Sequence, residues 1–315
     1  MKTLSIGELS SEAGNKTTGF VKVCDTQTTM PVTLVNGAKD GKTVLITAGI
    51  HGSEYPCIQT AIELAQELDP KEISGQIIVI HPVNTQAFAA KVPFVVPEDN
   101  KNINCLFPGN ENGTISEKIA YTITSIQDKV DFYMDLHGGD IQELVIPYVY
   151  YPGVADEEVV MTSRKAACVL DLPYMFKSKA TTGAYNSAAI RGLPCILIER
   201  GGCGLWTQEE VDAYKKDVKN VLRHLGVLPG QVVYPKKEPK EITNAIYQEA
   251  KNGGCWYPFV KVGEKVCRGQ ILGEVRDFFG KTIDTYYAEF DSVILYMAVS
   301  LAVNKGNYII TYGEV

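Results

Sequence analysis

The chain has 315 residues, 30 Lys+Arg against 37 Asp+Glu, and a formal net charge of -7. That length suits one large or two ordinary domains of globular composition. The acidic balance argues against a nucleic-acid binder, which carries a basic patch. The one basic cluster, Lys236-Lys237-Glu238-Pro239-Lys240, is interleaved with Glu and Pro and reads as a solvated linker.

The N-terminus, Met1-Lys2-Thr3-Leu4-Ser5, lacks the apolar stretch of a signal peptide. No apolar run is long enough to span a bilayer, so no membrane partner is expected. The eight cysteines include no C-x-x-C pair, and several sit in apolar runs as buried free thiols do. A reduced, cytoplasmic protein is the expectation.

Residues 1 to about 40 are Thr-rich with short alternating stretches, which predicts edge strands. From Thr43 the pattern becomes strand, helix, strand, helix. Thr43-Val44-Leu45-Ile46-Thr47-Ala48-Gly49 reads as a buried strand, and Cys57 to Leu68 as an amphipathic helix ending before Pro70. Between them lies His51-Gly52-Ser53-Glu54. This H-x-x-E leaves the carboxyl end of a strand and enters a helix, the place where open α/β sheets bind ligands. A His and a Glu three residues apart can point the same way and hold one zinc ion.

Gln76 to His81 is a strand closed by Pro82, and Phe88 to Gly113 is irregular, a length usually reserved for function. Ser116 to Lys129 is a helix candidate. Val130 to Leu136 is a strand followed at once by His137-Gly138-Gly139. His51, Glu54 and the distant His137 thus make the three-ligand set of a catalytic zinc. Asp135, two residues before His137, either accepts the free ring N–H of a ligating His or caps the loop. Leu144 to Tyr151 reads as a strand, and Glu157 to Leu170 and Glu209 to Leu225 as helices. Pro194-Cys195-Ile196-Leu197-Ile198-Glu199 is a buried strand running into one carboxylate. Glu199 is either a general base or a strand-end acid paired with Arg200.

The alternation predicts an α/β fold with a mixed sheet flanked by helices. After Pro229-Gly230 the chain turns to short alternating runs punctuated by glycine, with no clear helix. The expected organisation is an α/β domain over 1–230 and a small all-β sandwich or barrel over 231–315. His81, before Pro82, and His224, late in a helix, read as structural.

Taken together, His51-Gly52-Ser53-Glu54, Asn102-Ile103-Asn104 with Phe107-Pro108-Gly109, Asp135-Leu136-His137 and Glu199 resemble the succinylglutamate desuccinylase/aspartoacylase family. That family belongs with the zinc carboxypeptidase-like hydrolases. The tail, from Gly253-Gly254 to Gly269-Gln270-Ile271-Leu272-Gly273, is also similar to that family's C-terminal β-domain. The resemblance implies one Zn2+ per chain on His51, Glu54 and His137, Glu199 as the base, and Asn102 and Asn104 lining the pocket. It implies a small-molecule substrate: an N-acyl compound whose amide bond is cut by metal-activated water. Two alternatives are a carboxypeptidase-like cut of a peptide and a metal-dependent metabolite-binding protein with weak catalysis. A homo-oligomer formed through the β-domain is compatible with the pattern.

Two places depart from the family pattern. Cys105 stands where an arginine grips a substrate carboxylate, and Pro93 where a second arginine helps to hold the reacting oxygen. A cysteine cannot make arginine's bidentate contact. Lys91, Lys101, Arg164, Arg191 and Arg200 are candidate replacements. Arg191 ranks first, because it lies in the turn before the Glu199 strand. Tyr55, next to Glu54, is a candidate wall residue.

Overall fold

A computed structural model describes residues 2–314. The first strands, β1 (Leu4–Ile6) and β2 (Leu9–Ser11), form a hairpin. There follow β3 (Asn15–Lys22), β4 (Thr29–Asn36), β5 (Lys39–Ala48), α1 (Tyr55–Glu67), β6 (Ser74–Ile80) and α2 (Thr85–Ala90). A 3-10 turn (Ile103–Cys105) leads to α3 (Ile115–Gln127), β7 (Phe132–His137), β8 (Glu143–Pro152) and α4 (Glu157–Ala167). Then come β9 (Tyr174–Ser178), α5 (Ala184–Ile190), β10 (Cys195–Gly202) and α6 (Gln208–His224).

Within the central sheet the order is β8-β10-β7-β5-β6-β4-β3. β10, β7, β5 and β6 run parallel, while β8, β4 and β3 pair antiparallel with their neighbours. The sheet is therefore mixed. Its parallel strands are covered on both faces, which is why they read as near-continuous apolar runs. Side chains alternate between two cores. Val44, Ile46, Ala48, Phe132, Met134, Leu136, Ile196 and Ile198 pack with α1, α4 and α6. Leu45, Tyr133, Cys195 and Leu197 face α3 and α5.

After Gly230 the described residues form strands only. These are β11 (Lys240–Ile242), β12 (Ala245–Glu249), β13 (Gly254–Pro258), β14 (Lys265–Val266), β15 (Ile271–Arg276), β16 (Thr282–Tyr287), β17 (Ser292–Ala298), β18 (Ala302–Val303) and β19 (Tyr308–Glu314). β16, β15, β13 and β18 make a separate four-stranded sheet. β17 and β11 do something the sequence pattern does not announce. They pair with β8 and β9, so the C-terminal strands continue the main sheet. A shared core of Val145, Tyr148, Phe176, Ile242, Val293 and Leu295 seals the join.

Two short elements lie where no strand or helix is predicted, β9 and α5, and α2 extends into the segment read as irregular from Phe88. α5 has seven residues, too few for a helical repeat to register.

Register sets the site. Ala48 pairs with Leu136, and His137 with Glu199, so the ends of β5 and β7 lie level with Glu199 on β10. Gly138 makes that convergence close: a Cβ there would lie 2.1 Å from the Arg200 carbonyl oxygen. Gly138→Ala must push the two strand ends apart. It is expected to cost roughly 1–3 kcal/mol, read as a lower urea midpoint. An unchanged midpoint would mean that the strand ends have room to spare.

Candidate active site

β5 ends at Ala48, and Gly49, with a φ of +74°, turns the chain out of the strand toward His51. α1 then starts at Tyr55 with Pro56 in its first turn, where a missing N–H costs nothing. Glu54 is the residue that precedes the helix, yet its carboxylate does not cap it. The carboxylate turns instead toward two imidazoles, while the positive end of the helix dipole favours its charge.

Glu54 Oε1 lies 2.7 Å from His51 Nδ1, and Glu54 Oε2 lies 3.2 Å from His137 Nδ1. The two rings meet edge to face at 5.0 Å. One ligand atom from each of His51, Glu54 and His137 falls within 4.8 Å of the others. The far ring nitrogens each face an oxygen, and only that of His51 is hydrogen-bonded. His51 Nε2 is 3.1 Å from Asn102 Oδ1, which also accepts the Asn104 backbone N–H. His137 Nε2 is 3.3 Å from Asp135 Oδ2. In each ring Nδ1 faces Glu54, and Nε2 faces an oxygen on the far side. Glu54 and His137 are buried, yet Glu54 Oε2 has no hydrogen-bond donor among the described residues. Two imidazole Nδ1 atoms, one carboxylate and its orphaned buried oxygen around a common point fit a metal ion. Burial opposes charge on His51 and His137, and Glu54 outweighs it, so both sit above the usual histidine range.

Glu199 sits beside His137 in register and opposite Tyr148 on the other side. Burial pushes its carboxyl well above the usual range. His137 opposes that push, and the charges of Glu54, Glu143 and Asp135 add to it. Tyr214 of α6 clamps this edge. Its hydroxyl lies 2.7 Å from the Ile198 carbonyl oxygen and 3.0 Å from that of His137. Arg200 does not pair with Glu199. Its guanidinium reaches Asp217 at 2.6 Å and Glu210 at 3.1 Å, and it stands over the Tyr214 ring.

The remaining sequence candidates separate. Arg191, ranked first as a replacement cation, is a correction. It ends α5 ahead of β10, at the opposite end of the sheet from Glu199. Its guanidinium is taken by Asp128, Ser187 and Gln127. Lys101 pairs with Glu117 and Arg164 with Glu241. Lys91 is exposed, caps α2 in a left-handed conformation and has no ion-pair partner among the described residues. Asn102 holds His51, and Asn104 accepts the Ala184 N–H with its side-chain oxygen, tying the 3-10 turn to α5. Tyr55 stacks edge-on with Phe88 at 6.1 Å. His81 contacts Thr33, away from this cluster.

Several wall residues escape a reading of the sequence. Asp140 and Glu143 lie just past His137, and burial lifts their carboxyls to about 6 and about 7. The C-terminal strands bring Tyr296, whose hydroxyl donates to Glu143 at 2.7 Å, and Tyr247, 2.7 Å from the Tyr150 hydroxyl. Only the strand pairing reveals these two. The sole sequence signal is a tyrosine-rich tail.

A His/Glu/His cluster with a further carboxylate alongside, at the carboxyl ends of parallel strands, is a layout suited to a metal-assisted hydrolase. Residues 40–225 match the model of the succinylglutamate desuccinylase/aspartoacylase catalytic domain. The chain belongs to that family and is an amidohydrolase acting on carbon–nitrogen bonds other than peptide bonds. It is 29% identical over 296 residues to an N-alpha-acetyl-L-2,4-diaminobutyric acid deacetylase of Halomonas elongata, covering 91% of this chain and 86% of that one. Among solved structures, the product-bound ectoine utilization protein EutE (DoeB) of Ruegeria pomeroyi superposes with a TM-score of 0.85 at 24% identity, covering 95% of each chain. A family protein from Rhodobacter sphaeroides gives 0.84 at 23%, covering 98% of this chain and 99% of that one. These two likenesses establish the fold. No helix among the described residues is long and apolar enough to cross a membrane.

The Tyr214 hydroxyl bridges the strand ends that carry His137 and Glu199. Tyr214→Phe is expected to lower the unfolding free energy by about 1–2 kcal/mol in chemical denaturation. A variant as stable as wild type would show the bridge to be idle.

Proposed function

We propose that the chain is a zinc-dependent deacylase that releases the acyl group of a small N-acyl amino acid. His51, Glu54 and His137 hold the ion, and Glu199 is the general base. The observation that carries this reading is the register of Glu199 beside His137, which sets a carboxylate next to the cluster. Bound zinc would polarise the acyl carbonyl and make an attacking water more acidic. Glu199 accepts the proton of that water as its oxygen bonds to the acyl carbon. It returns the proton to the nitrogen as the carbon–nitrogen bond breaks. A carboxyl held above its usual range suits both halves of that task. Asp135 and Asn102 keep the two imidazoles turned.

The proposed substrate bears a second, positively charged amine. Asp140 and Glu143 place two acidic groups near the site, which gain negative charge as the pH rises through about 6 and about 7, and Cys105 cannot form an arginine-like fork for an extra carboxylate. The Halomonas relative's name, a deacetylase of acetylated diaminobutyric acid, points the same way. Lys91 is the proposed contact for the remaining α-carboxylate, and Asn102 and Asn104 form the floor beside His51.

Amine release by the zinc-loaded protein from N-acetyl-2,4-diaminobutyrate, N-acetylaspartate and N-succinylglutamate tests the reading. Turnover confined to the first compound is expected, and turnover of the acidic substrates alone would overturn the amine preference. Zinc bound with no turnover would favour a metabolite-binding protein. Glu199→Gln should retain the metal and lose about 10²–10⁴ in kcat; wild-type turnover in that variant removes Glu199 as the base.

A further inference from the structure

Behind His137 lies a line of buried polar groups that the proposed chemistry does not use. Thr47 on β5 stands directly opposite Asp135 on β7, and Tyr133 is two residues before Asp135 on the same face. All three are fully buried. Thr47 Oγ1 is 2.8 Å from Asp135 Oδ1 and 2.7 Å from the Tyr133 hydroxyl. The direction of each bond follows from the groups. Thr47 donates its single hydroxyl proton to Asp135. Thr47 Oγ1 must then accept from Tyr133. Burial and the Asp135 charge push the Tyr133 phenol well above its ordinary range, which keeps that proton in place.

The chain of donors ends on one oxygen of Asp135 and leaves the other, Oδ2, for the ring. Oδ2 and His137 Nε2 face each other 3.3 Å apart, and neither atom has a hydrogen-bond partner among the described residues. With Nε2 protonated toward Asp135, His137 presents Nδ1 on the Glu54 side. A carboxylate with one oxygen fixed by Thr47 cannot rotate away from the ring without breaking a buried hydrogen bond.

We infer that Thr47 and Tyr133 are positioning residues for the metal site: they lock Asp135, and through it the tautomer and orientation of His137. The inference rests on His51, Glu54 and His137 being metal ligands. Loss of an outer partner of a ligating histidine typically weakens metal binding about 10–100-fold. Thr47→Val keeps the shape of the side chain and removes its donor.

Zinc dissociation constants, measured by competition with a chelating dye, provide the test. Thr47→Val is expected to bind zinc at least about tenfold more weakly than wild type, and Thr47→Ser to restore tight binding. Tyr133→Phe, which leaves the Thr47 proton on Asp135, should lose less. It also serves as the probe if Thr47→Val does not fold. Long-range ¹⁵N–¹H spectra of the zinc-loaded wild type should show His137 protonated at Nε2. Wild-type affinity in both Thr47→Val and Tyr133→Phe, or a His137 proton on Nδ1, would overturn the inference alone. A wild type that takes up no zinc would overturn the metal reading and this inference with it.

Discussion

One carboxylate, Glu54, faces two imidazoles at once, and the rest of the site is arranged around that constraint. Each oxygen is directed at the Nδ1 of a different histidine. Both rings therefore turn Nε2 outward, each toward an oxygen on the far side. Asn102 serves His51 and Asp135 serves His137. Those acceptors are held in turn, Asn102 by a backbone N–H and Asp135 by Thr47. Pairing offsets much of the cost of burying this charge, while Glu54 Oε2, Asp135 Oδ2 and His137 Nε2 have no hydrogen-bond partner among the described residues.

Strand register makes this arrangement geometrically available. Thr47, Asp135, His137 and Glu199 lie on one face of three adjacent parallel strands, because side chains alternate with period two. A shift of one residue in any strand would bury its polar member among Ile198, Leu136 and Ala48 on the other face. Glycine after His137 lets the neighbouring strand end approach, and Tyr214 ties the two ends together from α6. The C-terminal strands then complete the wall, with Tyr247 against Tyr150 and Tyr296 against Glu143.

Much of this was legible in the sequence because it is local. The buried strands end at His51, His137 and Glu199, and each strand's period places its polar residue. The H-x-x-E spacing and the family motifs carry the cluster itself. What was not legible is non-local or short. Nothing in Ser292–Ala298 says that it pairs with β8 rather than closing a detached barrel. The seven residues of α5 carry no helical repeat, and without that helix the chain position of Arg191 points to the wrong end of the sheet. Its place in the chain, close before Glu199, suggested the site. The length of β10 carries it to the other end of the sheet, where Asp128 and Gln127 take the guanidinium. The turn of Asn102 back onto His51 depends on a loop path that composition does not encode.

The most direct measurement is a crystal structure of the zinc-soaked protein with anomalous data collected at the zinc edge. The account predicts one peak per chain, about 2.0–2.2 Å from Nδ1 of His51, Nδ1 of His137 and an oxygen of Glu54. An absent peak, or one bound through the Nε2 atoms with Asn102 and Asp135 displaced, would contradict it.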